Sequence, residues 1–320
     1  MGKFIHNERQ LNVKQCRWVW LCGRGVVFDA EGYITSPSTF YIMPFIKVPG
    51  NDTEESVDIF YNDYGKGKTV ILIHGWPLNS DMWEYQINDL VQSGCRVIAY
   101  DRRGFGKSSR PWDKYDYDTL TGDLKALIDQ LELEDVVLVG FSMGGGEIAK
   151  YFSNHGGARV SKAVLISAVT PYMLKTDTNP NGVPQEMFDQ MTEQMLDDRI
   201  DFLDDFGKTF FGQDLLHKPL STPLLEYYRM LCSMASPRAT QECAKSFSST
   251  DFRGDMASIN VPTLIIHGDE DKTVPIDATG KESAKMILNS DFIIYNGAPH
   301  GLWYTDKEKL NADLIRFIHS

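Results

Sequence analysis

Six short apolar runs punctuate the chain, at residues 70–73, 97–100, 136–139, 163–166, 263–266 and 292–295. Each is rich in Val, Ile and Leu, and none alternates with polar residues. Uninterrupted apolar strands are what a parallel sheet covered on both faces requires, because neither side of the strand meets water. Between the runs the period changes: Leu120, Leu124, Leu127, Ile128 and Leu131 fall at helical spacing, as do residues in 281–288 and Leu310, Leu314 and Phe317 near the end. Two extended stretches, 45–48 and 57–61, precede a turn at 63–67 whose glycines tolerate positive φ. The pattern predicts an α/β fold with a mostly parallel sheet between two helical layers.

Two regions break the rhythm. Residues 170–250 hold six prolines among phenylalanines, methionines and acids, without a strong strand, and read as a helical cap inserted between two sheet strands. Residues 1–42 show no sustained periodicity and carry five Lys/Arg against three Asp/Glu, whereas the remainder is net −14. They read as an N-terminal extension outside the core, leaving 43–320 as the domain proper.

Composition narrows the partners. At 320 residues and 42% apolar the chain has material for one large core, and its net charge of −12 disfavours nucleic acid and anionic membrane. No apolar run approaches the length of a membrane span. Five cysteines, without a C-x-x-C pair, form neither a disulfide framework nor a zinc grouping, so a reducing, cytoplasmic setting is expected. The N-x-T triplet at Asn51 would matter only in a secreted chain.

The candidate chemistry sits at strand ends. Gly140-Phe141-Ser142-Met143-Gly144 follows the run 136–139 and leads into a plausible helix. A serine on so tight a turn is held outward, the flanking glycines relieve crowding, and the Met143 N–H faces a developing oxyanion. A serine hydroxyl needs an adjacent base. Of seven histidines, His6 and His319 lie near the termini, His155 lies along a helix, His217 lies in the cap, and His74 and His267 end buried strands. His300, in the loop after the last run, remains. The orienting acid belongs in another strand-end loop, and 269–271 offers Asp269, Glu270 and Asp271. Spacing favours Asp271 and leaves Asp269 open, with a bracing role expected for the latter. The second oxyanion donor is the backbone N–H of Trp76, beside Gly75, with His74 tying that loop in place; Pro77 has no N–H to give. The segment 101–108 lacks phosphate-loop spacing, so Asp101 is expected to bind backbone amides, and Arg102 and Arg103 to meet carboxylates or solvent.

The segments HGWPLNSDMW (74–83), VIAYDRRGFGKSSRPW (97–112), VGFSMGGGEIAKY (139–151), PTLIIHGDEDKTVP (262–275) and GAPHGL (297–302) resemble the cofactor-free bacterial haloperoxidase, perhydrolase and aryl-esterase branch of the α/β-hydrolases. The likeness spans about 43–320. It implies an eight-stranded sheet, Ser142 as nucleophile, Asp271 as acid, His300 as base, and Trp76 and Met143 as oxyanion-hole amides. It further implies a serine carboxylesterase for small esters that forms peracids with hydrogen peroxide and oxidises halide through them. Lactone or cyclic-amide hydrolysis is the alternative within the fold, and a ligand-binding protein without turnover the alternative outside enzymes. Trp76, Phe141, Met143, Val274 and Leu302 are the expected pocket walls. Pro77 resembles members noted for peroxide chemistry, and Phe141 replaces a histidine that many members carry. No metal or organic cofactor is implied. Members are often dimeric or larger, which suggests a homo-oligomer on resemblance alone.

Overall fold

Strand alternation divides the apolar runs between two cores. In the computed structural model, which describes residues 19–21, 24–26, 44–50 and 56–320, Ile71, Ile73, Ile98, Leu138 and Leu165 face one side of the sheet, and Val70, Leu72, Val97, Val137 and Val164 face the other. Helices cover both. On the first face lie α2 (Tyr117–Gln130) and α3 (Met143–His155), contributing Leu120, Leu124, Leu127, Ile148 and Phe152. On the second lie α1 (Glu84–Gln92) and α9 (Lys307–His319), contributing Leu90, Leu310, Leu314 and Ile318. This explains the uninterrupted apolar runs at 70–73, 97–100, 136–139, 163–166 and 263–266, which are buried throughout, whereas the run 292–295 lies at the sheet edge and is only partly covered.

The chain divides into two compact units, Met1–Met43 and Pro44–Ser320. Within the first, β1 (Val19–Leu21) pairs antiparallel with β2 (Arg24–Val26); the rest of the predicted extension lies outside the described residues. The second unit holds β3 (Phe45–Pro49), β4 (Ser56–Gly65), β5 (Lys68–Ile73), β6 (Cys95–Tyr100), β7 (Val136–Phe141), β8 (Val160–Ile166), β9 (Thr263–Gly268) and β10 (Ser290–Tyr295), in the sheet order β10-β9-β8-β7-β5-β6-β4-β3. From β5 to β10 all pairings are parallel, while β3–β4 and β4–β6 are antiparallel. The predicted mostly parallel, eight-stranded sheet between helical layers is therefore the observed one. Chain order reverses at β5, which has β6 on one side and β7 on the other. Open α/β sheets place ligand sites in the crevice beyond such a switch point.

Between β8 and β9 the chain leaves the sheet to form α4 (Gln185–Phe210), α5 (Thr222–Ser233) and α6 (Pro237–Ser249), the expected helical cap. Its prolines start helices as well as interrupt them. Pro237 occupies the first position of α6 and Pro223 the second of α5, where no N–H is needed, behind the capping hydroxyls of Ser236 and Ser221. α4 breaks at Asp198 (φ −141°, ψ 94°), whose carboxylate accepts the N–H groups of Ile200 and Asp201, each at 3.0 Å, and so caps the second half of the helix. The short α7 (Gly280–Met286) and α8 (Leu302–Thr305) complete the domain.

Candidate active site

β7 ends in a backbone conformation that non-glycine residues rarely adopt: Ser142 has φ 53° and ψ −116°. The surroundings over-determine it. Its N–H donates to Ile166 O at 2.9 Å, while its carbonyl accepts from Gly145 N at 3.0 Å and Val169 N at 3.2 Å. The turn closes only because its neighbours lack side chains. A Cβ on Gly140 would lie 2.5 Å from Gly144 O, and one on Gly144 would lie 2.7 Å from Ile73 O. Met143 opens α3, so its N–H has no intrahelical acceptor and sits at the positive end of the helix dipole.

His300 and Asp271 arrive from the loops after β10 and β9. The His300 ring places Nε2 3.0 Å from Ser142 Oγ and Nδ1 2.6 Å from Asp271 Oδ2. Asp271 Oδ1 accepts the N–H groups of Thr273 at 2.9 Å and Val274 at 2.8 Å. Burial opposes ionisation of this carboxyl, but the charge of His300 and hydrogen bonds from His267 and His300 outweigh it and hold it well below the usual carboxylate range. An ionised Asp271 can only accept, so it draws the proton onto Nδ1 and leaves the Nε2 lone pair facing Ser142. Phe141 and Phe210 confine the imidazole, with ring centroids 4.9 Å and 4.7 Å away.

Two neighbouring acids behave differently. Asp269 accepts the N–H of Gly297 at 2.6 Å, bracing the β9 loop against the histidine loop, and Glu270 is exposed. His267, set aside in the sequence as ending a buried strand, belongs beside the acid. It is fully buried, with Nε2 2.9 Å from Val274 O and 3.3 Å from Asp271 Oδ2, the same oxygen that faces His300.

The Trp76 loop leaves β5, whose last residue, Ile73, pairs with Gly140 of β7. It packs directly on the elbow: a Cβ on Gly75 would meet Phe141 Cδ1 at 2.5 Å and Ser142 Cβ at 3.3 Å. The Trp76 indole N–H donates to Thr240 O of α6 at 2.9 Å, tying this loop to the cap. Behind it, His74 Nε2 accepts the Arg102 N–H at 3.0 Å, which leaves Nδ1–H to donate to Gly75 O at 2.8 Å. Burial, with the Arg102 charge, pushes the His74 pKa well below its ordinary value and keeps the ring neutral. Arg102 in turn donates to His74 O at 2.8 Å and to Glu147 of α3 at 2.6 Å, and Tyr100 donates to the other Glu147 oxygen at 2.6 Å. Asp101 accepts from Ser80 N and Lys107 N, and Arg103 grips Asp123 through two 2.6 Å bonds, so 101–108 is a brace.

Glu147 is the part of this brace that the sequence reading did not single out. The signal was present: α3 is buried from Met143 to Ala149, and a lone carboxylate there requires a partner. Replacing Glu147 with Ala leaves the Arg102 guanidinium buried without a counter-charge, and is expected to destabilise the fold by about 3–5 kcal/mol in urea unfolding.

A cavity of about 350 Å³ opens onto Ser142 and His300. Trp76 and Val274 line it, with Val169 and the β9-loop residues Lys272 and Thr273, and most of the remaining walls come from the cap, among them Met187, Met191, Phe202, Phe206 and Phe247. Phe141, Met143 and Leu302 are not walls. Phe141 is the last residue of β7 and turns to the sheet face opposite Met143; both side chains, and that of Leu302 on α8, are fully buried in the cores. Among the described residues, no cluster of three or more His, Cys, Asp or Glu could hold a metal ion, and no helix is long and apolar enough to cross a membrane.

A parallel sheet with a serine elbow at its switch point, a histidine and an aspartate on neighbouring strand-end loops, and a helical cap over the cavity together define a capped hydrolase. A family profile describing the alpha/beta hydrolase fold matches residues 68–306, and the chain belongs to that family. Within it, the chain is 43% identical over 269 residues to the non-heme chloroperoxidase CPO-A1 of Kitasatospora aureofaciens, covering 83% of this chain and 98% of the relative. It is 40% identical over 271 residues to the bifunctional esterase/perhydrolase DCH of Acinetobacter calcoaceticus, covering 84% and 98%. The crystal structure of a bromoperoxidase from Bacillus anthracis superposes with a TM-score of 0.81 at 45% identity, covering 86% of this chain and all of that one. The chain is thus a catalytic member of the serine-hydrolase, haloperoxidase-like branch, as the motifs imply.

Proposed function

We propose that the protein hydrolyses small esters through an acyl-Ser142 intermediate, and that hydrogen peroxide replaces water in resolving it. His300 removes the Ser142 proton as Oγ bonds to the carbonyl carbon, and Asp271 fixes the imidazole tautomer and stabilises the imidazolium. The backbone N–H groups of Trp76 and Met143 receive the oxyanion; one such donor contributes about 3–4 kcal/mol to barrier lowering. The alcohol leaves with the proton from His300. Water then yields the acid, or peroxide the peracid, which oxidises halide in solution.

The observation that carries this reading is the continuous hydrogen-bonded path from Ser142 Oγ through His300 to Asp271, at 3.0 Å and 2.6 Å. Its peroxide arm is supported by the relatives named for haloperoxidase and perhydrolase activity. The apolar, cap-walled cavity suits a short acyl group. The catalytic domain is taken as 43–320, with 1–42 outside its core, and the free thiols of Cys95, Cys232 and Cys243 suit a reducing cytoplasm.

A fluorophosphonate probe is expected to label Ser142 stoichiometrically, with p-nitrophenyl acetate hydrolysis and peroxide-dependent bromination of monochlorodimedone lost in proportion. An unlabelled serine would point instead to a ligand-binding protein. Labelling that abolishes hydrolysis but spares bromination would separate the two activities and end the common intermediate.

A further inference from the structure

Resting on the peroxide arm of that reading, we infer that Met187 and Met191 of α4, together with Met173, form a sulfoxidation site for the peracid that the enzyme itself makes. The three thioethers line the same cavity as Ser142 and His300. A peracid released from acyl-Ser142 is born inside this cavity and passes these sulfurs before reaching solution. Thioethers are the most readily oxidised groups on its walls, and the reaction is complete without a further reagent. The sulfur lone pair takes the terminal peroxy oxygen, the O–O bond breaks, the proton on that oxygen passes to the carbonyl oxygen of the departing carboxyl group, and the products are methionine sulfoxide and the carboxylic acid. An apolar, flexible wall becomes a polar one. Accumulated turnover therefore weakens binding of apolar acyl groups, and a sulfoxide reductase would restore it.

Burial separates this inference from ordinary oxidative damage. Met230, on α5 and outside the cavity, is 50% exposed, whereas Met191 is only partly exposed and Met173 is 2% exposed; Met187, at the cavity mouth and 56% exposed, is open to either oxidant, so Met191 and Met173 carry the distinction. An oxidant in bulk solution reaches Met230 before Met191 or Met173. An oxidant made at Ser142 reaches the cavity first, at a local concentration that solution cannot match.

The test maps sulfoxides by mass spectrometry in the full chain incubated with hydrogen peroxide and acetate, without halide. Controls are peroxide alone and Ser142→Ala. Parallel aliquots with bromide and monochlorodimedone report whether peracid forms. Met191 sulfoxide is expected to accumulate about tenfold faster than Met230 sulfoxide, and the excess to vanish without acetate or without Ser142. Bromination accompanied by oxidation that follows exposure, with Met230 ahead of Met191, would overturn the inference and leave the proposed function standing. Absence of bromination would overturn the peroxide arm itself, and the inference with it. Met191→Leu, which keeps the volume and removes the sulfur, is expected to slow the turnover-dependent rise in KM for p-nitrophenyl butyrate; an undiminished rise would place the damage away from this site.

Discussion

Ser142→Ala is expected to lower kcat for p-nitrophenyl acetate by about 10⁶-fold, the scale set by removing the nucleophile from a serine hydrolase that acts as one unit with its base. KM should stay within a few-fold, because Oγ forms its bond only as the reaction proceeds and the cavity walls come from the cap and strand-end loops. The fold should be almost unaffected. The substitution removes one hydrogen bond to His300 and leaves the strained backbone at φ 53° in place, so urea unfolding is expected to move by no more than about 1 kcal/mol. Bromination should fall with hydrolysis, since both pass through one acyl-enzyme. A loss of only about tenfold would mean that another group supplies the nucleophile, because the oxyanion donors alone do not sustain turnover at that level.

The sequence makes the sheet legible because the parallel strands β5 to β9 are buried on both faces and leave apolar runs, while the edge strand β10 keeps such a run although its outer side is only partly covered. The positions of Ser142, Asp271 and His300 at strand ends follow from the same fact, since loops there face one crevice. What the structure adds is tertiary. Phe141, Met143 and Leu302 adjoin site residues along the chain, yet strand alternation and helix phase turn their side chains into the cores. The walls that replace them lie on α4 and α6, whose register over the cavity depends on how the cap docks. Pro223 and Pro237 read as interruptions because proline breaks a helix interior; only the preceding serine caps distinguish a start from a stop. His267 reads in the sequence only as ending a buried strand, a place where histidine is usually structural, because its contact with Asp271 arises from the curl of the β9 loop.

That curl makes Asp271→Asn the second large effect, an expected loss of about 10⁴-fold in kcat with geometry preserved. The carboxylate accepts two backbone N–H groups at Oδ1 and the His300 ring at Oδ2, where His267 Nε2 also lies 3.3 Å away. An asparagine must aim its NH₂ at one pair. The amides of Thr273 and Val274 cannot become acceptors, so the NH₂ turns toward the imidazoles and His300 Nδ1 must accept. Its proton then moves to Nε2, which faces Ser142 as a donor and cannot serve as the base. The same carboxylate links stability to pH. Because folding depresses its pKa, its contribution is present above the unfolded value of about 3.9 and is lost as pH falls through the lower folded one. The wild type should therefore exceed Asp271→Asn in urea unfolding at neutral pH, by a margin that narrows below about pH 4. Asp269→Asn serves as the control: Asp269 accepts only from Gly297 N among the described contacts, and its carbonyl oxygen can still do so after substitution, so kcat should fall by less than about tenfold. If the two variants lost activity equally, the orienting role would belong to the loop as a whole and not to the carboxylate at 271.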